Sequence, residues 1–118
     1  MILDTNILIY HVQGRLATPL TIGQYMVSFG TEIEVLSYPH ISPAEDLELR
    51  QMFSADITVV DLTEDIKESA ISVRKNHRLR LPDAQIVATA LELSEELLTN
   101  DQAIQNIAGL RCRTVKTI

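Results

Sequence analysis

Short apolar segments alternate along this chain with longer stretches whose apolar residues recur at helical spacing. The predicted strands are residues 1–3, 26–29, 57–60 and 97–99, and residues 111–118 are a candidate fifth strand. Short apolar strands separated by helices are typical of parallel strands joined by right-handed crossovers. The pattern therefore predicts an α/β fold.

Hydroxyl residues followed by glutamate predict where two of the helices begin. Thr31 with Glu34, and Ser42 with Glu45, each match a capping box, in which a hydroxyl and a glutamate three residues apart satisfy free backbone amides. In the second match Pro43 also occupies the first helical position, where proline is favoured. The first helix is expected to end at the proline of position 39, and the second near position 53.

Spacing predicts three further helices. The helix capped by Thr63 has a predicted inner face of Ile66, Ala70, Val73 and His77, at spacings of four, three and four. Residues 7–12 and 81–93 are also predicted to be helical. Residues 14–25 contain two glycines and a proline without a clean period, so a loop with at most a poor helix is predicted there.

Length and composition limit the class of protein. A chain of 118 residues with 46% apolar and 22% charged side chains fits one globular domain over residues 1–118. It has no apolar run near the roughly 20 residues of a bilayer span, so a cytoplasmic protein with no membrane association is expected. The first strand is short, which leaves open that residues precede Met1. The single cysteine, Cys112, excludes an intrachain disulfide and a thiolate metal cluster.

The charges are unevenly distributed. Ten basic and sixteen acidic residues give a net charge of -6, which argues against broad electrostatic binding of nucleic acid. Four of the basic residues nevertheless fall within seven positions, and these are Arg74, Lys75, Arg78 and Arg80. This cationic strip is either a contact for RNA phosphates or a solvated helix end whose charges favour the helix dipole.

Four acids follow predicted strands or begin predicted helices. They are Asp4, Glu34, Asp83 and Asp101, and spacing alone leaves open whether Glu32 or Glu34 faces the site. In an open parallel sheet, ligands bind beyond the carboxyl ends of the strands, so these acids are the candidates for a site. Three also have local explanations, because Glu34 completes a capping box, Asp83 complements a helix dipole and Asp101 can cap a short helix. Asp4 has no such explanation.

Asp83 begins the apolar stripe of its predicted helix. Ile86, Val87 and Ala90 follow at helical spacing, so the carboxylate is expected to point inward, and that stripe carries no lysine or arginine to neutralise it. Several converging acids repel one another, and a divalent cation is the simplest remedy. Magnesium or manganese suits carboxylate ligands better than zinc does.

Four blocks of sequence resemble the PIN-domain ribonucleases, and most closely the small VapC-type toxins of toxin–antitoxin systems. The blocks are Leu3-Asp4-Thr5-Asn6, Thr31-Glu32-Ile33-Glu34, Leu81-Pro82-Asp83-Ala84 with Ala88-Thr89-Ala90, and Leu98-Thr99-Asn100-Asp101. They occur in the family's order over positions 3–101. The resemblance implies a three-layer α/β/α fold, with helices on both faces of a mainly parallel sheet of four to five short strands. It also implies a divalent-metal-dependent endoribonuclease.

The resemblance assigns roles to individual residues. Asp4, Glu34, Asp83 and Asp101 become the acidic quartet, with Asn6 and Thr99 as supporting polar neighbours. Asp4 and Asp83 are the expected principal ligands of Mg²⁺ or Mn²⁺, Asp101 is a ligand of the same or a second ion, and Glu34 is either a ligand or orients the attacking water. Many relatives carry an acid and an aromatic where this chain has Ala103 and Ile104, which leaves a second metal site incomplete.

The VapC-type resemblance further implies three partners and leaves alternatives open. The partners are an RNA substrate, a small antitoxin protein that covers the site, and a second copy of the chain, with residues 36–38 and 47–53 as candidate dimer surfaces. A non-toxin PIN nuclease and a degenerate RNA-binding member remain alternatives. A receiver-like signalling module is less consistent, because Asp4 lacks an adjacent acid, and an Asp-x-Asp phosphatase is excluded by Asn6.

Overall fold

The computed structural model describes residues 1–21 and 23–118 and contains a five-stranded parallel sheet. The strands are β1 (Ile2–Leu3), β2 (Tyr25–Ser28), β3 (Ile57–Val60), β4 (Leu97–Leu98) and β5 (Cys112–Arg113). Their order in the sheet is β3-β2-β1-β4-β5, and every neighbouring pair is parallel. The predicted α/β class is therefore confirmed. This order differs from the 2-1-3-4-5 order of receiver-like folds, which argues against the signalling-module alternative.

Six helices are described in these two ranges. They are α1 (Thr5–Val12), α2 (Phe29–Leu36), α3 (Pro43–Ala55), α4 (Glu64–His77), α5 (Leu81–Leu93) and α6 (Gln102–Gln105). Within the part of the chain that is described, no helix is both long and apolar enough to cross a membrane.

The two central strands separate two apolar clusters, one on each face of the sheet. Leu3 of β1 and Leu98 of β4 pack into a cluster with residues of α1, α2 and α3. Ile2 and Leu97 pack into a second cluster with residues of α4 and α5. Successive strand residues point to opposite faces, so even a two-residue strand contributes to both layers. The predicted three-layer arrangement is confirmed.

The starts of α3, α4 and α5 agree with the sequence. The backbone amide of Glu45 donates to Ser42 Oγ at 3.1 Å, and the amide of Ser42 donates to Glu45 Oε1 at 2.8 Å, which completes the predicted capping box. Thr63 Oγ1 accepts from the Ile66 amide at 3.2 Å, as expected of a capping residue. Only the end of α3 differs, because it continues two residues past position 53.

The predicted start of α2 is wrong. The helix begins at Phe29 with Ser28 as its N-cap, so Thr31 already lies in its first turn and does not cap it. The Thr31 side chain is instead fully buried. The helix also ends at Leu36, before the proline that was expected to stop it. The Thr31-x-x-Glu34 pattern matched a capping box in sequence only.

Three smaller expectations also need correction. His77 is exposed and does not complete the inner face of α4, because the chain turns at Arg78 and the next buried apolar side chain is Leu79. Of the candidate fifth strand, only Cys112–Arg113 forms one, and Thr117 pairs antiparallel with Leu16 instead. The described residues of the predicted loop over 14–25 form no helix, and β2 begins at its last residue; position 22 lies outside the described residues.

Candidate active site

Asp4 lies at the carboxyl end of β1 and is nearly buried, with 6% of its surface exposed. It is the N-cap residue of α1, yet its carboxylate makes no capping hydrogen bond. Instead Thr99, which follows β4, donates its hydroxyl to Asp4 Oδ2 at 2.6 Å. Because β1 and β4 are neighbours in the sheet, their ends bring these two residues together across 95 positions of sequence.

Two further carboxylates act on Asp4. Burial raises the pKa of Asp4, the hydrogen bond from Thr99 lowers it, and the negative charges of Asp83 and Asp101 raise it again. The charges of Asp83 and Asp101 thus act on Asp4, and Thr99 links Asp4 to Asp101 through its hydrogen bonds. The net result is an Asp4 pKa above its ordinary value of 3.8, chiefly because the carboxylate is buried.

Asp101 is held between a helix and the same threonine. Its Oδ1 accepts from the Ala103 amide at 2.9 Å, which confirms that it caps α6. Its own backbone amide donates to Thr99 Oγ1 at 3.0 Å. Thr99 therefore uses one hydroxyl to bind the carboxylate of Asp4 and the backbone of Asp101, which fixes the two acids relative to each other.

Asp83 points inward from the first turn of α5, as predicted, with 14% of its side chain exposed. The expectation that it lacks a cationic neighbour is wrong, because Arg80 Nε donates to Asp83 Oδ2 at 3.2 Å. Arg80 is the N-cap residue of α5 and lies one turn before Asp83, outside the stripe that the sequence pattern followed. Its side chain is 77% exposed, so it covers Asp83 from the solvent side.

Arg80 is also the cation that faces the remaining acids. The hydrogen bond to Asp83 and the charge of that residue raise the pKa of Arg80, and the charges of Glu34 and Asp101 raise it further. Arg80 therefore lies on the solvent-exposed side of Asp83, where its charge interacts with those of Glu34 and Asp101. The rest of the cationic strip, at Arg74, Lys75 and Arg78, is exposed at the end of α4 and in the turn that leads to Arg80.

Glu34 reaches the site from α2, and Thr5 Oγ1 donates to its Oε1 at 3.0 Å. Thr5 also contacts Thr31 Oγ1 at 3.2 Å, and Thr31 contacts Ser28 Oγ at 3.0 Å. The sequence did not identify these three hydroxyls as part of the site. Ser28 at the end of β2 and Thr5 after Asp4 were a usable signal, but Thr31 had been assigned to a helix cap.

A cleft of about 230 Å³ opens beside Asp4. Its lining residues are Asp4, Asn6, Ile7, Tyr10, Asn100 and Asp101. Asn100 was also missed by the sequence, and its side chain holds Val115 through two hydrogen bonds of 2.9 Å, one to the carbonyl and one from the amide. Asn6 is exposed in the cleft, whereas the other predicted polar neighbour, Thr99, is buried.

Among the residues described, no three or more His, Cys, Asp or Glu side chains are arranged to hold a metal ion as they stand. Arg80 binds Asp83, and the Ala103 amide binds Asp101. The donors nevertheless fit a hard divalent cation, because all are carboxylate oxygens and because Asp83 and Asp101 already repel the buried Asp4. A cation between them would relieve this repulsion.

Comparison with protein families finds that residues 1–110 match the model of the PIN domain. Comparison with curated proteins finds no match. The family model thus extends over all four acids of the site.

Solved structures with the same fold come from toxin–antitoxin systems. A toxin–antitoxin complex from Klebsiella pneumoniae contains a chain 31% identical to this one, with 92% of this chain and 93% of that chain covered and a TM-score of 0.75. VapBC2 from Rickettsia felis, bound to a DNA fragment from its promoter, matches at 15% identity over 98% of both chains with a TM-score of 0.78. VapBC-5 from Mycobacterium tuberculosis, a member of the VapBC family of toxin–antitoxin systems, matches at 18% identity over 98% and 96% with a TM-score of 0.62.

Proposed function

This chain belongs to the PIN domain family, which is a family of nucleases, and from that premise we propose that it is a divalent-metal-dependent endoribonuclease and the toxin of a VapBC-type pair. The observation that carries the proposal is the nearly buried carboxylate of Asp4, held by Thr99 and repelled by Asp83 and Asp101. A buried, unneutralised carboxylate beside two others destabilises a fold unless a cation joins them.

Asp4, Asp83 and Asp101 are the residues that would hold Mg²⁺ or Mn²⁺. When bound, such an ion lowers the pKa of a water molecule and neutralises charge on a phosphate. Thr99 keeps Asp4 in place through the 2.6 Å hydrogen bond, so this carboxylate presents its remaining electron pairs to the cleft. Asn6 lies exposed in the same cleft, where its amide can hydrogen-bond a substrate oxygen or a water.

Glu34 approaches from the neighbouring helix and is held by Thr5 rather than by a basic residue. Its second carboxylate oxygen is available to accept a proton or a hydrogen bond from the attacking water. Glu34 is therefore either a further ligand or the residue that orients this water.

RNA reaches these acids through the cationic strip. Arg80 lies at the rim of the acids and is mostly exposed, so it can turn from Asp83 to a phosphate oxygen. Arg74, Lys75 and Arg78 extend the same positive surface along the end of α4. With aromatics at only 4% of residues, base stacking contributes little, and recognition depends mainly on phosphates and on the shape of the RNA.

An antitoxin is the proposed protein partner. Two solved structures with this fold are a toxin–antitoxin complex from Klebsiella pneumoniae and VapBC-5 from Mycobacterium tuberculosis, a member of the VapBC family of toxin–antitoxin systems. In this chain, Phe29 and Ile33 on the helix of Glu34, and Leu81 two residues before Asp83, expose apolar side chains, which are proposed contacts for this partner. A second copy of the chain is proposed to bind residues 36–38 and 47–53, where Leu47 is exposed. A toxin that cleaves cellular RNA acts in the cytoplasm.

Cleavage of total cellular RNA by the purified protein tests the nuclease proposal. Wild type, Asp4→Asn and the control Asp61→Asn, which changes an exposed acid after β3, are each assayed with Mg²⁺, Mn²⁺ or EDTA. We expect cleavage by wild type and by the control with either metal, and at least a roughly hundredfold loss with Asp4→Asn or EDTA. Equal cleavage by wild type and Asp4→Asn would reveal a contaminating nuclease.

Growth of a bacterial host tests the toxin claim separately. Expression of the protein alone is expected to arrest growth, and co-expression with the neighbouring open reading frame is expected to relieve the arrest. Metal-dependent cleavage without growth arrest would identify a non-toxin PIN nuclease instead. Binding of RNA without cleavage would identify a degenerate member.

A further inference from the structure

We propose that Ser28 and Thr31 are positioning residues that act through the hydroxyl of Thr5 to hold the carboxylate of Glu34 in one orientation. The inference rests on the proposed nuclease function, because it assigns a purpose to the orientation of Glu34. It does not concern the metal ligands Asp4, Asp83 and Asp101.

The three hydroxyls form a continuous chain from the sheet to Glu34. Ser28 Oγ lies 3.0 Å from Thr31 Oγ1, Thr31 Oγ1 lies 3.2 Å from Thr5 Oγ1, and Thr5 Oγ1 lies 3.0 Å from Glu34 Oε1. Ser28 is 1% exposed, Thr31 is fully buried and Thr5 is 9% exposed, so water competes little for these bonds. This row of hydrogen-bonded hydroxyls joins the end of β2 to the beginning of α1 and ends at Glu34, a candidate catalytic acid.

Thr5 has a single hydroxyl proton and two acceptors within reach. Its geometry allows donation to Glu34 Oε1 or to Thr31 Oγ1, but not to both at full strength. A carboxylate is the stronger acceptor, because hydrogen bonds to a charged group are shorter and stronger than neutral ones. The contacts of Thr31 with Ser28 and Thr5 therefore serve to hold Thr5 in the rotamer from which it reaches Glu34.

Ser28 hydrogen-bonds to Thr31 and does not make the helix-capping bond that is usual for a serine at its position. It is the N-cap residue of α2, where a serine normally accepts a hydrogen bond from the helix backbone, yet its side chain makes no capping bond. In the same protein Ser42 and Thr63 do cap their helices. Residues at functional sites often lack a local stabilising interaction that their type usually makes, and the missing capping bond of Ser28 fits this pattern.

Orientation matters for Glu34 because its carboxylate is attached to α2, whereas the cleft is built on the ends of β1 and β4. Loss of a supporting hydrogen bond at such a site typically reduces activity by roughly 10- to 100-fold. Small displacements of a reacting group also lower the rate, because catalysis requires the reacting atoms to be held in the productive geometry. The side chains of Thr5, Thr31 and Ser28 are the means by which this fold ties the two parts together.

Kinetics of RNA cleavage by the full chain provide the first arm of the test. Thr31→Val keeps the shape of the side chain and removes the hydroxyl, and we expect it to lower kcat about tenfold with KM changed by less than about twofold. Thr31→Ser retains the hydroxyl and is expected to restore kcat. Thr89→Val is the matched control, because Thr89 is also buried and its hydroxyl binds the Gln85 carbonyl within α5. Ser28→Ala provides a second variant should Thr31→Val fail to fold.

A double-mutant cycle separates positioning from general stability. On a Glu34→Gln background, Thr31→Val should change kcat by less than about twofold, because Thr31 acts only through Glu34. A further tenfold loss on that background would overturn the proposal. Equal losses of kcat in Thr31→Val, Thr31→Ser and Thr89→Val would overturn it as well.

Nuclear magnetic resonance provides an arm that needs neither metal nor RNA. Three-bond couplings of the Thr5 methyl group report its χ1 rotamer, and threonine in a helix divides between two rotamers unless it is held. We expect one rotamer in wild type and Thr31→Ser, and averaging in Thr31→Val and Ser28→Ala. A single Thr5 rotamer in all four proteins would overturn the inference, even if RNA cleavage is confirmed. Absence of cleavage in wild type would instead contradict the proposed function and leave this arm decisive.

Discussion

At the scale of single residues, the site consists of side chains whose interactions with the rest of the protein are unfavourable or incomplete. Asp4 is nearly buried and repelled by two acids, and it leaves the first turn of α1 without a capping bond. Arg80 partly compensates the charge from the solvent side, but it contacts Asp83 rather than Asp4. The charge of Asp4 therefore lowers the free energy of unfolding, and a loss of stability of this kind is common at the active sites of enzymes.

Asp4→Asn should stabilise the fold in metal-free buffer while it abolishes cleavage. The pKa of Asp4 is raised in the folded protein above 3.8, chiefly by burial, so the folded state binds this proton more tightly than the unfolded chain does. The charge of Asp4 thus destabilises the fold increasingly from pH 3.8 up to the folded pKa, and by a constant amount above it. Asparagine removes this loss, and a gain of about 1 kcal/mol would raise Tm by about 4 °C.

Thermal unfolding in EDTA from pH 3 to 8 measures this effect. We expect the Tm difference between Asp4→Asn and wild type to be largest at neutral pH and to disappear below pH 3.8, where Asp4 is protonated in both states. Glu92→Gln is the control, because Glu92 is an exposed acid on α5. A lower Tm for Asp4→Asn at pH 7 would show that the charge of Asp4 is already compensated in the folded chain.

Arg80→Ala should tighten the binding of Mn²⁺ and weaken the binding of RNA. Arg80 competes with a cation for Asp83, and an exposed ion pair of this kind contributes at most about 1 kcal/mol, which corresponds to about a fivefold gain in metal affinity. Isothermal titration with MnCl₂ measures the metal, and filter binding measures the RNA. Arg50→Ala is the matched control, because Arg50 forms a similar exposed pair with Asp46 on α3. Weaker Mn²⁺ binding by Arg80→Ala would contradict competition.

The sequence placed three of the four acids correctly within the fold, because Asp4 and Asp101 follow strands and Asp83 lies in the first turn of a helix. Glu34 differs, because it lies near the end of α2 and not in the helix start that was predicted for it. Thr5, Thr31 and Asn100 act through contacts that depend on the distance between neighbouring strand ends, which one-dimensional spacing does not contain. Arg80 was identified as part of the cationic strip, but its contact with Asp83 was not predicted. Only the positions that follow Asp83 in the helix were searched for a cation, and Arg80 lies three residues before it.

At the scale of elements, helix starts divide into two groups. At α3 and α4, remote from the acids, the N-cap side chain accepts a backbone hydrogen bond. At α1 and α2, the side chains of the N-cap residues Asp4 and Ser28 make none, and the N-cap residue of α5, Arg80, has no acceptor atom with which to make one. Asp101 at α6 does both, because it caps the helix and repels Asp4. The start of α2 was placed wrongly because Thr31 and Glu34 have the spacing of a capping box, whereas the helix begins two residues before Thr31.

Ser42→Ala should therefore lower stability without affecting cleavage. It removes the hydroxyl of a complete capping box, and the expected loss is about 1 kcal/mol in the free energy of unfolding. Urea denaturation measures the loss, and Ser42→Asp, which retains a capping oxygen, should recover it. A substantial decrease in kcat for Ser42→Ala at unchanged metal affinity would mean that α3 contributes to the site.

The short strands show the limit of pattern-based prediction for this fold. β1, β4 and β5 contain two residues each, too few to show a period, and they were identified from apolar character alone. The candidate strand over 111–118 was too long because Asn100 holds Val115 through its side chain and so takes the place of the sheet hydrogen bonds there. An asparagine contact 15 residues away in sequence leaves no trace in the local pattern.

At the scale of the whole molecule, the protein is acidic and its proposed RNA substrate is a polyanion. The net charge of -6 disfavours the approach of RNA, whereas Arg80 of the cationic strip lies against Asp83 and acts at short range. At physiological ionic strength the screening length is about 8 Å, so the strip is felt by RNA only once the two are nearly in contact. Binding should therefore depend on a small number of direct phosphate contacts.

The salt dependence of RNA binding counts these contacts. Each cation that neutralises a phosphate of single-stranded nucleic acid contributes about 0.7 to the slope of log K against log salt concentration. In the Asp4→Asn protein, in which cleavage is expected to be lost, Lys75→Gln and Arg78→Gln should each reduce the slope by about this amount, as measured by fluorescence anisotropy with labelled RNA. Arg50→Ala on α3 should leave the slope unchanged. If all three variants retain the parent slope, the strip is a solvated helix end whose cations serve the dipole of α4, and RNA enters the cleft from another side.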